Sequence, residues 1–382
     1  MSRFSDLVSL PARGMGSILP GARGTPSPEP HTQQLIKLDA NENPYGPSPR
    51  AVEAIQAALA AANSYPDDDC APLRRRLATY HGLPNDQVLV AAGSTAVLSL
   101  LCQTMLAPGL NAVTSQCSFL VYSLAVQATG ARLIETPLCN DGIDLDAVLH
   151  AINDDTRVVF LANPNNPTGT MLDADAVDRF FAAVPGHVVV VLDEAYYDFA
   201  SAFAALRAIE YSRSIEYLRR GAGVLVLRTF SKAHGLAGLR IGYGMGPAEL
   251  LGYCARMRNT FSVSSVAQAA AGAALEDEGH IRRVVANNVA QAQVVAAALS
   301  ELGYRVIPTS ANFLYFDIGA DALALANRLR EEGVSVRPLA GWGAPTSIRV
   351  SIGTPEQNEI FLDAVRRITG TPRTPKRGSL SG

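Results

Sequence analysis

Residues 228–244 contain the most informative pattern in this sequence, Arg228-Thr-Phe-Ser-Lys-Ala-His-Gly-Leu-Ala-Gly-Leu-Arg240-Ile-Gly-Tyr-Gly. The apolar, β-branched run Val224–Phe230 that leads into it is typical of a buried strand. Lys232 stands where this strand ends, among small residues, and is poorly placed to be a solvated surface charge. It is well placed to form a Schiff base, and the Ser231 hydroxyl and Arg240 suit a phosphate monoester beside it. The alternative is an ordinary lysine at a surface turn.

Size and composition set broad limits on what this protein does. The chain has 382 residues, of which 48% are hydrophobic, so more than one core and two domains are expected. A formal net charge of −3 does not favour nucleic acid or an anionic membrane as a partner. No apolar run is long enough to span a bilayer, and the N-terminus lacks a signal-peptide core. Five scattered cysteines without a CxxC pair indicate a reduced, cytoplasmic protein, and six scattered histidines predict no metal site.

Strand and helix signals alternate through residues 49–255, which predicts a large α/β domain with a mostly parallel sheet sandwiched by helices. A smaller α+β domain is predicted for residues 256–370, with strands at 304–307, 313–316, 335–338 and 347–351. Residues 1–48 are predicted to form an extended arm, because residues 11–30 are rich in glycine and proline. The basic tail 371–382 lacks apolar periodicity and is expected to be disordered.

A second apolar run, Val188-Val-Val-Val-Leu-Asp193-Glu-Ala-Tyr196, ends in a carboxylate and a phenol. Asp193 at a strand end has two interpretations, a helix N-cap or the partner of a protonated pyridine nitrogen. The spacing to Lys232 leaves room for one crossover unit, and this favours the second interpretation. Together with the Lys232 segment, this run resembles the pyridoxal phosphate (PLP) site of the class I/II aminotransferases, and PLP remains an electron sink only while such a carboxylate keeps its pyridine nitrogen protonated.

Further motifs follow other predicted strands. The string Asn163-Pro-Asn-Asn-Pro-Thr-Gly169 is either a simple turn or a loop that frees Asn166 to donate to the phenolate oxygen of the cofactor. Tyr196 can donate to the same atom. Ser94 and Thr95 follow Gly93 at the start of a predicted helix, where free N–H groups can hold a phosphate.

Four more side chains are candidates whose ordinary interpretations remain open. Phe119 either stacks on the pyridine ring of the cofactor or packs as an ordinary core aromatic. Tyr65 is either a residue of the cofactor site or an ordinary loop aromatic. Arg337 and Arg349 lie in predicted strands of the small domain, where an arginine either faces solvent or binds an anion in a cleft. A bidentate arginine is what a carboxylate or phosphate substrate requires.

The sequence resembles the histidinol-phosphate aminotransferase family of PLP-dependent class I/II aminotransferases. The resemblance is carried, in chain order, by Asp39-Ala-Asn-Glu-Asn-Pro-Tyr-Gly46, by Tyr65-Pro-Asp and by the motifs described above. The resemblance covers roughly residues 35–365. It implies fold type I, a homodimer with active sites at the subunit interface, and transamination of histidinol phosphate with 2-oxoglutarate to imidazole-acetol phosphate and glutamate. By the same resemblance, each candidate has a role. Lys232, Asp193 and Tyr196 are catalytic; Ser94, Thr95, Phe119, Asn166, Ser231, Arg240 and the Tyr65 of a partner bind the cofactor; Arg337, Arg349 and Asn166 bind the substrate.

Departures from the family pattern leave alternatives open. The family's arm commonly carries a tyrosine that helps to hold the substrate phosphate, and Ile18-Leu-Pro-Gly21 stands there instead. The stacking position is commonly tyrosine and here is Phe119. These changes keep two related functions in view, an aminotransferase for aromatic amino acids or a specialised intermediate, and a decarboxylase of a phosphorylated amino acid. A non-catalytic PLP-binding regulator is disfavoured, because the arm does not suit a helix-turn-helix.

Overall fold

The computed structural model describes residues 35–370 together with Pro11. The arm residues 18–21 and the tail 371–382 lie outside this part of the chain, so the predictions made for them stay predictions. Within it, the fold is α/β, as the sequence predicts, with one large and one small sheet.

A seven-stranded sheet forms the centre of the larger part of the molecule. Strands are numbered along the chain as β1 (Ile36–Lys37), β2 (Val88–Ala91), β3 (Asn111–Ser115), β4 (Arg132–Thr136), β5 (Leu138–Cys139), β6 (Gly142–Ile143), β7 (Thr156–Ala162), β8 (Val189–Asp193), β9 (Val224–Thr229) and β10 (Gly242–Met245). The large sheet has the order β2-β10-β9-β8-β7-β3-β4. Only β10 runs antiparallel to its neighbours, and β5 and β6 form a separate hairpin.

Helices cover both faces of the large sheet, and the last three described helices pack against the small sheet. They are numbered α1 (Pro49–Leu59), α2 (Ala71–His81), α3 (Ser94–Met105), α4 (Val121–Gln127), α5 (Leu145–Ala151), α6 (Ala174–Ala183), α7 (Tyr197–Leu206), α8 (Ser214–Arg219), α9 (Ala248–Arg256), α10 (Ser265–Leu275), α11 (Glu278–Glu301), α12 (Ala322–Glu331) and α13 (Pro355–Thr369). Alternate residues of β9 enter different cores: Val224 and Val226 face one core, and Leu225 and Leu227 the other. Successive side chains of a strand point to opposite faces, so a strand covered on both sides has to be apolar throughout.

The smaller sheet contains β11 (Arg305–Ile307), β12 (Phe313–Asp317), β14 (Arg337–Leu339) and β15 (Ala344–Ser351) in the antiparallel order β11-β12-β15-β14. The prediction of one strand over residues 335–338 is wrong. β13 (Val334–Ser335) pairs with β1, whereas Arg337 opens β14 and pairs with β15. The chain changes sheets at Val336, a break that an apolar–polar alternation does not reveal.

The predicted domain boundary at residue 255 stays a prediction, but the hydrophobic cores show which sheet the segments near the boundaries pack against. Helix α10 lies beyond that boundary and nevertheless packs against α1, with Ala267, Ala270 and Ala271 in a core of the large sheet. Conversely, Leu38 of the predicted arm joins the core of the small sheet. The large and small sheets with their covering helices form two layers, and each layer therefore contains a segment from beyond the predicted boundary.

The carboxyl ends of β2, β7, β8 and β9 meet at one edge of the large sheet, because these strands are parallel. The antiparallel strand β10 between β2 and β9 begins at the same edge, and its backbone there approaches the start of α3 very closely. A Cβ atom on Gly242 would lie 2.4 Å from the backbone nitrogen of Ser94 and 3.0 Å from the carbonyl oxygen of Arg228. Glycine at this position lets β10 and α3 come together.

We expect Gly242→Ala to lower the free energy of unfolding by about 3 kcal/mol, because the new methyl group meets backbone atoms that cannot move aside. Gly252→Ala in α9 is the control, since a Cβ there meets no atom within 4 Å. In denaturant unfolding, the free energy of unfolding of this control should equal that of the wild type or lie slightly above it. Overlapping curves for the two variants would contradict the packing at Gly242.

Candidate active site

Lys232 follows β9 and points into the cavity where the strand ends converge. Its Nζ donates to the carbonyl oxygen of Ala40 at 3.1 Å. Burial, followed by the nearby charge of Arg349, lowers the pKa of Lys232 to about 7. An ordinary lysine is fully protonated at neutral pH, whereas a substantial fraction of this amine is uncharged.

Asp193 ends the adjacent strand β8. Its Oδ2 accepts from the hydroxyl of Tyr122 at 3.0 Å, and its Oδ1 accepts from the backbone N–H of Ala195 at 3.3 Å. Burial raises the pKa of Asp193 to about 6 in spite of these bonds. The carboxylate thus lies in a site that a cationic N–H partner would stabilise.

Tyr196 and Asn166 flank the same cavity. The hydroxyl of Tyr196 accepts from Asn41 Nδ2 at 2.9 Å, and burial raises the pKa of Tyr196. Asn166 Oδ1 accepts from Arg349 Nη1 at 2.6 Å. Because that bond uses the oxygen of the Asn166 amide, its NH₂ group is left to face the cavity.

A second cluster lies where α3 begins. Gly93 precedes the helix with a φ of +90°, and Ser94 and Thr95 open it. A Cβ on Gly93 would lie 2.7 Å from Arg240 Nη2, so the absence of a side chain lets the guanidinium lie against this turn. Arg240 Nη1 donates to Ser231 Oγ at 3.4 Å and to the Ala237 carbonyl at 2.9 Å. A guanidinium, a hydroxyl and a helix N-terminus together suit a phosphate.

Two arginines of the small sheet form the third cluster. Arg337 on β14 is the register partner of Arg349 on β15. Arg349 Nη2 and Arg337 Nε donate to the same carbonyl oxygen, that of Asp39, at 2.9 and 3.4 Å. Burial lowers the pKa of Arg349 to about 10. Both guanidinium groups line the cavity, so an anion bound there can meet two cations.

These clusters line one cavity of about 370 Å³. The cavity brings together every candidate from the sequence except Tyr65: Ser94, Thr95, Phe119, Asn166, Asp193, Tyr196, Ser231, Lys232, Arg240, Arg337 and Arg349. Tyr65 lies elsewhere, is 82% exposed, and stacks on Phe261 with ring centroids 4.6 Å apart.

The cavity also contains residues that sequence reasoning missed. Tyr122 is fully buried, bonds to Asp193 and stacks on Phe160, and Asn41 bonds to Tyr196. Trp342 also lines the cavity, and the guanidinium carbon of Arg349 lies 5.9 Å from the centroid of its ring. The signal for Asn41 was its place in the Asp39–Gly46 motif, whereas no local pattern distinguishes Tyr122 from a core aromatic.

The donor set fits PLP. Asp193 is a buried carboxylate suited to a pyridinium N–H, Lys232 is an amine suited to an aldehyde, and the Gly93–Arg240 cluster is suited to a phosphate.

Among residues 35–370, no group of three or more His, Cys, Asp or Glu side chains is placed to hold a metal ion. In the same part of the chain, no helix combines the length and apolar character needed to cross a membrane.

Comparison with known proteins agrees with this site. The family described as "Aminotransferase class I and II" matches residues 33–365. A histidinol-phosphate aminotransferase 2 of Pseudomonas aeruginosa is 43% identical over 96% of this chain and 99% of its own length. A histidinol-phosphate aminotransferase of Moorella thermoacetica is 41% identical over 92% and 91%.

A solved structure of histidinol-phosphate aminotransferase from Sinorhizobium meliloti in complex with pyridoxal-5′-phosphate has a TM-score of 0.81 and 28% identity, over 88% of this chain and 92% of that one. Aspartate aminotransferase from Thermus thermophilus shares the fold, with a TM-score of 0.77. The chain therefore belongs to the class I and II aminotransferases, which are PLP-dependent enzymes.

Proposed function

We propose that this aminotransferase uses histidinol phosphate and 2-oxoglutarate and forms imidazole-acetol phosphate and glutamate. The observation that carries the proposal is the pair Arg337 and Arg349, which converge on one side of a cavity that also contains Lys232. A phosphate monoester and the dicarboxylate 2-oxoglutarate are both anions of more than one charge. The names of the relatives from Pseudomonas and Moorella support the same substrate.

In this proposal the cavity residues hold PLP by its three functional parts. Asp193 pairs with the pyridine nitrogen, and Phe119 covers the ring. Asn166 and Tyr196 donate to the phenolate oxygen. Arg240, with the Ser231 hydroxyl and the backbone N–H groups of Ser94 and Thr95, binds the phosphate.

Bound PLP supplies an electron sink for the electrons of the substrate Cα–H bond. Lys232 is the base that takes the proton from Cα, since its amine has a pKa of about 7 and can both accept and release a proton near neutral pH. Tyr122 and the Ala195 N–H hold the Asp193 carboxylate in place. Arg349 keeps Asn166 in place through its bond to Asn166 Oδ1 while it binds the substrate anion.

Tyr65 has a role in this proposal only in a homodimer. Its ring stacks on Phe261, itself 44% exposed, and the two rings present an apolar surface to solvent. Pairing of two copies through this surface would cover it and bring Tyr65 to the phosphate site of the other subunit.

All five cysteines are free thiols, which supports a reduced cytoplasmic location.

A half-reaction distinguishes the proposed substrate from the aromatic alternative. PLP-loaded protein is mixed separately with histidinol phosphate, histidinol, glutamate or phenylalanine, and the absorbance change from the pyridoxal to the pyridoxamine form is followed. We expect rapid conversion by histidinol phosphate and glutamate. Histidinol, which lacks only the phosphate, should react about 100-fold more slowly because it leaves the arginine pair without its anion.

Conversion by phenylalanine but not by histidinol phosphate would contradict the proposed substrate while leaving the aminotransferase chemistry intact. Release of carbon dioxide from a phosphorylated amino acid, such as O-phosphoserine, added to a separate sample would indicate a decarboxylase instead. Lys232→Ala serves as the control, since it should bind PLP without converting it with any of the four compounds.

The buried amine of Lys232 gives a pH signature in the protein freed of PLP. Below pH 7 the folded state has to keep an ammonium buried; between about pH 7 and 10.5 only the unfolded state retains that proton, so unfolding becomes harder as the pH rises. We expect Lys232→Met to raise the free energy of unfolding below pH 7 by on the order of 5 kcal/mol. This gain should shrink steadily from pH 7 to 10.5.

Denaturant unfolding at a series of pH values measures this effect. The exposed Lys37 provides the matched variant, Lys37→Met, whose pH profile should overlay that of the wild type. A gain for Lys232→Met that stays constant from pH 6 to 10 would show that Lys232 has an ordinary pKa.

A further inference from the structure

Asn165 occupies a position between two parts of the proposed cofactor site without lining the cavity itself. It is 1% exposed and follows Pro164 in the turn after β7. Its backbone N–H donates to the Thr170 carbonyl, and its own carbonyl accepts from Gly169, both at 2.8 Å. These bonds close the turn that carries Asn166, the next residue along the chain.

The side chain of Asn165 connects this turn to a different loop, the one after β3. Its Oδ1 accepts from Ser118 Oγ at 2.8 Å, and its Nδ2 donates to the Cys117 carbonyl at 3.0 Å. Nδ2 also donates to Thr168 Oγ1 at 2.9 Å, so both ends of the amide are bonded. Cys117 has a φ of +47°, a left-handed conformation that non-glycine residues rarely adopt. The two bonds to residues 117–118 thus fix an unusual backbone.

That backbone leads directly to Phe119, which lines the cavity. Phe119 meets Tyr122 edge-on, with centroids 5.6 Å apart and planes at 87°, and Tyr122 donates to Asp193. One buried amide therefore connects the residue proposed to cover the pyridine ring with the residue proposed to hold its phenolate oxygen. Side chains that meet a bound ring need such support, because a small displacement removes the contact.

We propose that Asn165 is a positioning residue that sets the separation between Phe119 and Asn166 and so fixes the tilt of the PLP ring. The inference rests on the proposed function, since it takes the roles of these two residues from there. Asn165 contacts neither cofactor nor substrate. Its effect reaches the ring only through the loop 117–119 and the turn 163–169.

The test compares three variants. Asn165→Ala removes both links to residues 117–118; Ser118→Ala removes one of them and keeps Asn165. Asn163→Ala is the matched control: Asn163 is also a buried amide of this turn, but its side chain bonds only to the backbone of Leu172, at 2.9 and 3.1 Å. All three substitutions remove buried hydrogen bonds and should lower the thermal midpoint of unfolding.

Two measurements report on the ring rather than on stability. PLP affinity is obtained by titrating PLP-free protein and following the fluorescence of Trp342, the single tryptophan of the chain, which lines the cavity. The tilt is obtained from the visible circular dichroism of bound PLP, expressed per mole bound. We expect Asn165→Ala to raise the Kd of PLP at least tenfold and to reduce the dichroism at least twofold. Ser118→Ala should give intermediate values, and Asn163→Ala should stay within twofold of the wild type in both.

Asn165→Ala with the dichroism of the wild type and the Kd of Asn163→Ala would overturn the inference. If Asn165→Ala does not fold, Ser118→Ala decides: wild-type values for both measurements would overturn the inference, and a shift in both would support it. A wild-type protein that binds no PLP would instead overturn the proposed function. Failure of the proposed function therefore appears in the wild-type protein, whereas failure of the inference about Asn165 appears in the variants.

Discussion

The burial of a lysine beside an arginine and an aspartate is the constraint on which the site depends. Arg349 and Asp193 are buried and Lys232 is partly buried, and desolvation moves the pKa of each toward the neutral form, to about 10, 6 and 7 respectively. Desolvation thus weakens the charged form of each group more than the local hydrogen bonds favour it. The site is therefore complementary to a ligand that brings opposite charges: a phosphate or carboxylate beside Arg349, and a protonated ring nitrogen beside Asp193.

The fold provides this arrangement because parallel strands end at the same edge of a sheet. β8 ends at Asp193 and Lys232 follows β9 by three residues, so both side chains line the cavity at this edge, and the start of α3 adds its free backbone N–H groups. The small sheet contributes its arginines across the cavity from a separate layer. The segment Asp39–Asn41 connects the two layers: its carbonyl oxygens accept from Lys232, Arg337 and Arg349, and Asn41 donates to Tyr196. The cavity is thus lined by residues from both layers at once.

Local pattern was sufficient to predict the residues that end strands. Lys232, Asp193 and Asn166 each follow an apolar run, so their polar side chains stood out in the sequence. Tyr122 and Trp342 did not stand out, because an aromatic residue in an apolar setting looks the same whether it lines a cavity or a core. Strand β10 was missed because its glycines hide a strand. Asn165 shows the same limit: its partners at 117 and 118 are close only after folding.

The most direct test of the account is to identify the lysine that bonds to PLP. The chain has three lysines, Lys37, Lys232 and Lys376. Reduction of the PLP-loaded protein with borohydride makes that bond permanent, and peptide mass spectrometry then locates the modified residue. We predict modification of Lys232 in stoichiometric amounts, with Lys37 and Lys376 unmodified. Modification of either of those two, or of none, would contradict the assignment of Lys232 and with it the interpretation of the whole cavity.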